Sequence, residues 1–314
     1  MDRPRHLLII LNRRAAQKRM DRFRAVLGLL DAVGCTYEVK ETQAAGDAAR
    51  FAAEAAAETV DAVAVAGGDG TINDAINGFH PATPPLGLIP LGTANVLAHE
   101  IGLATDPAAI AAALTAGRCL SVVPGQANGR RFMMMASVGF DAHVVGGVRR
   151  SVKRRIGKLV YVLSALRQLL RYPCPHLTAL VDGRPVTAAT LVVSRGRLYG
   201  GRYVMAPAAD LATPEFQVSI FRRKGRLAMA GYSAALPLGL LNRWNLIDHV
   251  VARRVEVHAR PGDPVQADGD TATALPVVID LADQAIEVLV PPDSPVPSVG
   301  ASRKTTCLER SYGA

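Results

Sequence analysis

The chain has 314 residues, 49% of them hydrophobic and 20% charged, and its 36 Lys and Arg against 27 Asp and Glu give a net charge of +9. This composition excludes a disordered chain, and the length allows two modest domains. The positive charge favours an anionic partner such as a nucleotide or an acidic membrane surface. Aromatic residues make up only 5% and no basic run is interleaved with them, so nucleic acid is not expected as a partner.

The apolar runs and the cysteines predict a cytoplasmic protein. If the protein associates with a membrane, it is expected to be peripheral on the inner face. The apolar run at 7–11 is too short for a signal peptide. The longest uncharged stretch, 227–242, is interrupted by glycines and a proline and is short for a membrane span, so we interpret it as buried or interfacial. The four cysteines form no CxxC pair, which indicates free thiols.

Strand and helix patterns alternate through the first third of the chain, residues 1–122. This alternation predicts an α/β domain with an open, mostly parallel sheet, in which ligands bind outside the carboxyl ends of the strands. Predicted strands cover 7–11, 35–39, 62–65 and 86–89, and predicted helices cover 15–30, 47–58, 95–101 and 107–115.

Short β-like runs separated by Gly, Pro or Asp-Gly turns dominate the next region, 123–290. They predict a β-rich, antiparallel, sandwich-like second domain, interrupted by one helical insert at 152–170. The segment 291–314 is rich in Pro, Ser and basic residues and is expected to be a mobile tail. The β-like runs are 132–136, 177–181, 190–193, 216–221, 255–258, 277–279 and 285–290.

A glycine-rich turn at 66–71 joins a buried strand to a helical pattern. Its glycines, Gly67, Gly68 and Gly70, expose backbone N–H groups to which a phosphate can come close, and the helix start adds partial positive charge. Asp69 lies among these glycines, and its negative charge would repel a phosphate bound by the backbone alone. Its presence therefore indicates that a cation such as Mg2+ binds there as well.

Two further loops follow predicted strands of the same sheet. Pro90–Asn95 reads Pro-Leu-Gly-Thr-Ala-Asn, and by itself it is equally typical of a strand–helix connection capped by Thr93. Asn12 begins the other loop, in which Arg13 and Arg14 are either solvated or aimed at phosphates. Loops that end successive parallel strands open onto one edge of the sheet.

Taken together, these residues resemble the diacylglycerol kinase catalytic family. That family includes bacterial lipid kinases, sphingosine kinases and ceramide kinases, and its fold is related to NAD kinases and phosphofructokinases. The ordered match spans about residues 6–290. Its motifs are the Asn12 loop, Gly-Gly-Asp-Gly-Thr at 67–71, Pro-Leu-Gly-Thr-Ala-Asn at 90–95, Ser-Val-Gly-Phe-Asp at 137–141, Tyr199-Gly200-Gly201, Ala206-Pro207 and Ala267-Asp268-Gly269-Asp270.

The resemblance implies ATP-dependent phosphoryl transfer to a lipid hydroxyl in a cleft between the domains. It implies that Asp268 is the general base, that Asp69 shares the catalytic work, and that Asp69 and Asp141 hold Mg2+. Such transfer requires positioning, a cation and a carboxylate near the nucleophile. Without the resemblance, Asp268-Gly269 is typical of a hairpin turn. The implied nucleotide-binding residues are Asn12, Arg13, Arg14, Gly67, Gly68, Gly70, Thr71, Gly92, Thr93 and Asn95.

Three departures from the family pattern accompany the match. The first loop lacks the usual Ser and Gly, which Arg13, Arg14 or Lys18 would replace in contacting phosphate. Val96 stands where an acid is common, which removes one member of the Mg2+ network. The acidic segment that often follows the Ala-Pro motif is replaced at 213–215, which leaves open whether a second, structural cation site exists.

Two alternative functions stay open from the sequence. An NAD kinase-like enzyme with a soluble substrate would also use the two glycine turns, although the β-rich second half suits the lipid kinases better. A nucleotide- or lipid-binding protein with little catalysis is suggested by the altered first loop and Val96. The sequence does not name the lipid, and a homodimer stays open.

Two basic clusters bear on a membrane contact. The first, within 149–158, precedes an apolar helical pattern at 159–170 and is compatible either with docking on anionic lipid or with a solvated basic face. The second, within 222–226, precedes the apolar stretch, and there we favour a solvated basic face.

Overall fold

The computed structural model of the chain describes residues 5–147 and 159–296. The chain divides into two compact units, one formed by Met1–Val123 with Asp283–Ala314 and the other by Pro124–Ala282. The first basic cluster and most of the predicted tail lie outside the described residues.

The first unit is built on a six-stranded sheet with the order β2-β1-β3-β4-β20-β5. All neighbours are parallel except β20 and β5. Leu11 is opposite Ala66 and Gly67 is opposite Pro90, so the carboxyl ends of β1, β3 and β4 are aligned. The strands are β1 (His6–Leu11), β2 (Thr36–Glu41), β3 (Ala62–Gly67), β4 (Leu86–Pro90), β5 (Arg118–Val122) and β20 (Ile286–Val290).

The helices of this unit confirm the α/β class, with local differences. The predicted helix at 15–30 is divided by a 3-10 turn at Gln17–Arg19, and the one at 47–58 ends at Ala53, because alanine propensity is a weak prior that packing overrides. The helices are α1 (Arg13–Ala16), α2 (Met20–Ala32), α3 (Asp47–Ala53), α4 (Asp69–Ile76), α5 (Val96–Glu100) and α6 (Pro107–Ala116).

The last described strand, β20, belongs to the first unit although the sequence grouped 285–290 with the β-rich region. Its side chains are almost entirely buried between parallel β4 and antiparallel β5. A short apolar run of this kind fits either sheet, so its position in the sequence alone did not reveal its partners.

The second unit contains two antiparallel sheets of six strands each, which confirms its predicted β-rich character. Phe132 and Phe216 stack in its core with ring centroids 6.1 Å apart. One sheet has the order β10-β9-β16-β19-β6-β7, with β6 (Gly125–Ala127), β7 (Arg130–Phe132), β9 (Leu177–Val181), β10 (Arg184–Ala188), β16 (Arg254–Val257) and β19 (Val277–Leu281). The other has the order β15-β14-β11-β8-β17-β18, with β8 (Met135–Gly139), β11 (Thr190–Ser194), β14 (Phe216–Phe221), β15 (Asp248–Ala252), β17 (Pro264–Ala267) and β18 (Asp270–Ala274). A small ribbon pairs β12 (Leu198–Tyr199) with β13 (Tyr203–Val204).

Four helices complete the described part of this unit. They are α7 (Phe140–Gly146), α8 (Leu159–Arg171), α9 (Arg226–Ala235) and α10 (Leu240–Arg243). The predicted insert at 152–170 corresponds to α8 from Leu159 onward, and its earlier residues lie outside the described chain. No helix in the described residues is long and apolar enough to cross a membrane. Cys35 and Cys174 are buried free thiols, whereas Cys119 is disulfide-bonded, so the prediction of free thiols is wrong for that residue.

Candidate functional site

Three loops meet at the carboxyl edge of the first unit's sheet. The backbone N–H groups of Leu91 and Gly92 both donate to the carbonyl oxygen of Gly67, at 2.8 and 3.0 Å. The side-chain amide of Asn12 donates to the Thr71 hydroxyl at 3.0 Å. The loops after β1, β3 and β4 are therefore joined, as their order in the sheet predicts.

Gly68 and Gly92 provide the closest approach between two of these loops. A Cβ added to Gly92 would lie 2.4 Å from the Cα of Gly68, and one added to Gly68 would lie 3.1 Å from the Cα of Gly92. Real Cβ atoms do not approach backbone as closely as 2.4 Å, so this packing requires glycine at Gly92, whereas a Cβ at Gly68 would need its neighbour to shift by a few tenths of an ångström. The two turns thus present bare backbone where a phosphate group can be approached.

Asp69 connects the glycine turn to the loop after β4. Its carboxylate accepts the backbone N–H of Val96 at 2.6 Å, which is the first residue of α5. The substitution of valine for the usual acid at this position leaves the connection intact because it uses only the main chain. The sequence alone predicts only the loss of a Mg2+ ligand at Val96, because a bond to a main-chain N–H has no sequence signature.

Asn95 is a buried polar residue with one unpartnered atom. Its side-chain amide donates to the Gly92 carbonyl oxygen at 2.9 Å, and its backbone is left-handed with φ of 47°. The residue is 5% exposed, and within the described chain its Oδ1 has no hydrogen-bond partner. Asn95 occupies the N-cap position of α5, so the alternative in which Thr93 caps this helix is wrong, and Thr93 is exposed. An acceptor held this way fits a hydroxyl, an amino group or a metal-bound water.

Two arginines that the sequence did not single out, Arg19 and Arg22, contact the loop after β4. Arg19 donates to the Leu91 carbonyl at 2.9 Å, and Arg22 donates to the Pro90 carbonyl at 3.1 Å. Burial, followed by the charge of Arg19, lowers the pKa of Arg22. Arg19 ends the 3-10 turn and Arg22 lies in the first turn of α2, and their spacing of three residues is the sequence signal that they share one side.

The predicted Arg13 and Arg14 are exposed, as is Lys18. Arg13 lies 3.6 Å from Glu41 in an ion pair at the surface. Contact of these three residues with phosphate stays a prediction.

In the second unit, Asp268 and Gly269 form the turn between β17 and β18, both with positive φ. The Asp268 carboxylate accepts the backbone N–H groups of Met133, Met134 and Met135, at 2.7, 2.9 and 3.0 Å. Asp268 is thus fixed against the start of β8, and each of these bonds uses the carboxylate as an acceptor.

Asp141, on α7, is partly buried and belongs to a polar network. Ser137 and Tyr199 donate hydroxyl bonds to its carboxylate, and the side-chain amide of Gln266 approaches it at 3.4 Å. Burial raises the pKa of Asp141 above its ordinary value, against the lowering effect of these donors. Gln266 also accepts the backbone N–H of Gly269 at 2.9 Å, so the network extends from Asp141 to the Asp268 turn.

The loop after Ala206-Pro207 is organised by a fully buried guanidinium, that of Arg195. Arg195 donates to the carbonyl oxygens of Leu211 at 2.9 Å and Thr213 at 2.5 Å, and also to that of Glu215. Burial lowers its pKa to about 10. The Arg195 guanidinium therefore contacts backbone oxygens of the segment around 213–215, for which the sequence left open whether a structural cation binds.

Carboxylate clusters do not by themselves define a metal site in this chain. Among residues 5–147 and 159–296, no group of three His, Cys, Asp or Glu side chains could hold a metal ion. Asp69 belongs to the first unit, whereas Asp141 and Asp268 belong to the second.

Known proteins resemble both halves of the chain. The model of the diacylglycerol kinase catalytic domain matches residues 6–127, and that of the YegS C-terminal NAD kinase beta sandwich-like domain matches residues 134–290. A diacylglycerol kinase of Mycobacterium tuberculosis is 30% identical over 256 residues, covering 79% of this chain and 82% of the relative. The chain belongs to the diacylglycerol kinase catalytic family.

Further members of the family agree over similar lengths. The diacylglycerol kinase of Bacillus subtilis is 28% identical over 80% of this chain and 84% of its own. A crystal structure of a diacylglycerol kinase from Bacillus anthracis matches 93% of this chain and 99% of its own, with a TM-score of 0.74 and 24% identity. That likeness supports the fold of the family, and the resemblance seen in the sequence is confirmed.

Proposed function

We propose that this chain transfers the γ-phosphate of ATP to the hydroxyl of a diacylglycerol-like or related lipid, in the presence of Mg2+. Family membership supports the reaction class, and the observation that carries the proposal is the glycine cradle formed by Gly68 and Gly92. The sequence motifs and the geometry support the same conclusion there: two glycines without side chains lie close together, next to Asp69, whose carboxylate accepts the N–H of Val96.

The residues of the three loops suit a nucleotide. Glycine N–H groups suit phosphate oxygens, and the unpartnered Oδ1 of Asn95 suits a hydroxyl or amino donor or a metal-bound water. We assign nucleotide binding to these loops, including Asn12, Thr71 and Thr93. Arg19 and Arg22 add positive charge where the loops meet, and they stabilise the loop after β4 by donating to its carbonyl groups.

Asp69 suits Mg2+, which prefers carboxylate oxygens and retains several waters. When bound, this ion would neutralise charge on the phosphates. The bond from Val96 fixes the Asp69 side chain in one orientation, so that the acid is prepared for a ligand. The assignment of Asp141 to the metal stays a prediction, because its contacts with Ser137, Tyr199 and Gln266 are those of a positioning residue.

For Asp268 we propose the role of general base. Its carboxylate would accept the proton of the lipid hydroxyl as that oxygen attacks the γ-phosphorus. The three backbone bonds would hold it in place, since positioning is what this reaction requires most. Asp141 would support the turn through Gln266 and Gly269.

The acceptor in this proposal lies in a membrane. Lipids with a free hydroxyl, such as diacylglycerol, phosphatidylglycerol, a sphingoid base or a polyisoprenoid alcohol, are all compatible with the chemistry. Because ATP is cytoplasmic, we place the reaction at the cytoplasmic face of the membrane.

A lipid panel tests the proposal. The purified protein is incubated with γ-labelled ATP, Mg2+ and each lipid in mixed micelles, and also with NAD. Label that appears on a lipid supports the proposal. Label on NAD favours the NAD kinase-like alternative, and ATP binding without transfer to any acceptor favours a binding protein.

A further inference from the structure

The segment 222–247 of the second unit combines exposed apolar side chains with one sign of charge. It contains five basic residues and no Asp or Glu. Leu227, Leu238 and Trp244 are 90%, 69% and 62% exposed. We call these three residues, together with Arg223, Lys224, Arg226 and Arg243, the α9–α10 surface. All four of its basic side chains belong to exposed residues.

The exposed residues of α9 and the turn after it fall on one side of the helix. Leu227, Gly231, Ala234 and Leu238 are exposed, and their spacing of four, three and four residues is that of a single helical face. The opposite face is buried through Met229, Tyr232 and Ala235. This fixes α9 on the unit with an uncharged stripe directed outward.

The buried side of α9 also fixes the basic residues that precede the helix. The ring of Tyr232 packs edge-on against Phe221 with centroids 5.0 Å apart. The hydroxyl of Tyr232 accepts the backbone N–H of Arg223 at 3.3 Å. Arg222 forms an ion pair with Asp248, which anchors the beginning of the segment. The cations at the start of α9 are therefore next to Leu227 on an ordered scaffold.

Trp244 is equally well anchored at the end of α10. Leu241 is buried, and the side-chain amide of Asn242 donates to the Val204 carbonyl at 3.0 Å. Asn242 also pairs with His249 at 2.8 Å. The indole is thus exposed on a fixed helix end rather than on a loose loop, and tryptophan is favoured at membrane–water interfaces.

We propose that the α9–α10 surface docks on an anionic lipid bilayer. Leu227, Leu238 and Trp244 would enter the interfacial region, while the basic residues contact lipid phosphates. The argument for lipid as the occupant is charge complementarity: within 222–247 the exposed apolar residues are accompanied by basic residues and by no acidic ones, as in interfacial helices. This docking goes beyond the proposed phosphoryl transfer and does not depend on it. It also revises the interpretation of the second basic cluster as a merely solvated face.

The chain's single tryptophan allows a direct test with the unaltered protein. Trp244 fluorescence is recorded with vesicles of phosphatidylcholine alone and with vesicles containing phosphatidylglycerol. We expect a blue shift, quenching by brominated acyl chains and protection from iodide, only with the anionic vesicles and less so as salt rises. Unchanged emission and iodide quenching with anionic vesicles would overturn the proposal, as would equal binding to both vesicle types. A shift that follows protein concentration without lipid would assign the surface to a second copy instead.

Variants separate the apolar and the charged contributions in a vesicle sedimentation assay. Leu227→Ser with Leu238→Ser is compared with Val33→Ser, which alters a residue 60% exposed in the first unit. Arg223→Gln with Lys224→Gln is compared with Arg24→Gln, another exposed arginine. Each double variant is expected to weaken binding at least about tenfold, and the controls are expected to bind as the wild type does. Equal binding by the double variants and their controls, with circular dichroism showing a folded chain, would refute the proposed surface.

Discussion

The glycine loops of the first unit and the Asp268 turn of the second differ in how their hydrogen bonds are distributed. The loops are joined by bonds spread over several residues: Gly67 accepts two main-chain N–H bonds, Asn12 donates to Thr71, and the Asp69 carboxylate accepts the main-chain N–H of Val96. In the second unit, three N–H bonds converge on one side chain, the carboxylate of Asp268.

This difference predicts which sequence changes each region tolerates. Val96 takes part only through its main-chain N–H, so its side chain can change wherever there is space. The Asp268 turn depends more on one residue, because three N–H groups share its carboxylate, although the main-chain N–H of Asp268 also donates to Met135. Departures from the family pattern in the first unit therefore weigh less against catalysis than a change at Asp268 would.

The substitution Asp268→Asn is the sharpest test of the Asp268 turn. Loss of a general base is expected to lower turnover about 10²–10⁴-fold while ATP affinity stays nearly unchanged. The amide also turns an N–H group toward one of the backbone donors, so some loss of stability is expected. Steady-state kinetics, ATP titration and thermal unfolding measure the three effects.

Asp182→Asn is the matched control for Asp268→Asn, because Asp182 begins another Asp-Gly turn of the second unit and its carboxylate also accepts backbone N–H groups, those of Arg253 and Arg254. It is expected to retain turnover. Near-normal turnover of Asp268→Asn would refute the base, and parallel losses of ATP affinity and stability would show that Asp268 serves only to hold the turn.

Arg195→Met tests how strongly a side chain organises the loop after Ala206-Pro207. The carbonyl groups of Leu211, Thr213 and Glu215 lose their donor, and of these bonds the one to Leu211 is buried. A buried group left without its partner costs about 1–3 kcal/mol, so the free energy of unfolding should fall by about 1–3 kcal/mol. Urea denaturation measures the change. Arg184→Met, at an exposed arginine of β10, serves as the control, and equal stability of the two variants would contradict the assigned role.

Gly92→Ala tests the close approach of the two glycine turns in the first unit. The added Cβ would lie 2.4 Å from the Cα of Gly68, so the two turns must separate. A shift of about 1 Å in a site of this kind lowers turnover on the order of 10²-fold. The control is Gly28→Ala in α2, where a Cβ meets nothing within 4 Å and helix stability should rise by about 0.5–1 kcal/mol. Wild-type turnover in Gly92→Ala would show that the close approach is not needed.

Much of the fold could be predicted from the sequence because it follows from local patterns. The buried runs at β1, β3 and β4 and the glycine turns between strand and helix indicate a parallel sheet with a site at its carboxyl edge. The partners of β20 could not be predicted, because a five-residue apolar run carries no information about which sheet it joins.

The sequence predicts which loops form the candidate site, but not which atoms in them are hydrogen-bonded to one another. Motifs identified Asp69, Asn95 and Asp268, whereas the bonds of Arg19, Arg22 and Arg195 connect residues to carbonyl groups that have no sequence signature. The exposure of Leu227 was missed for a related reason: periodicity shows that a helix has two faces, but not whether the protein covers both of them.

The smallest expected effect concerns pH and Asp141. Because burial raises the pKa of Asp141 in the folded protein, the folded state retains a proton that the unfolded chain has already released. Over the range between the ordinary and the raised pKa, stability therefore falls as pH increases. Asp141→Asn imitates the protonated acid, its oxygen can still accept from Tyr199, and it has no such pH dependence. Thermal unfolding at about pH 4 and about pH 7 should show that the variant gains stability relative to the wild type at the higher pH. If the wild type and the variant change in stability by the same amount between the two pH values, the pKa of Asp141 is the same in the folded and unfolded states. The folded protein then retains no extra proton at Asp141.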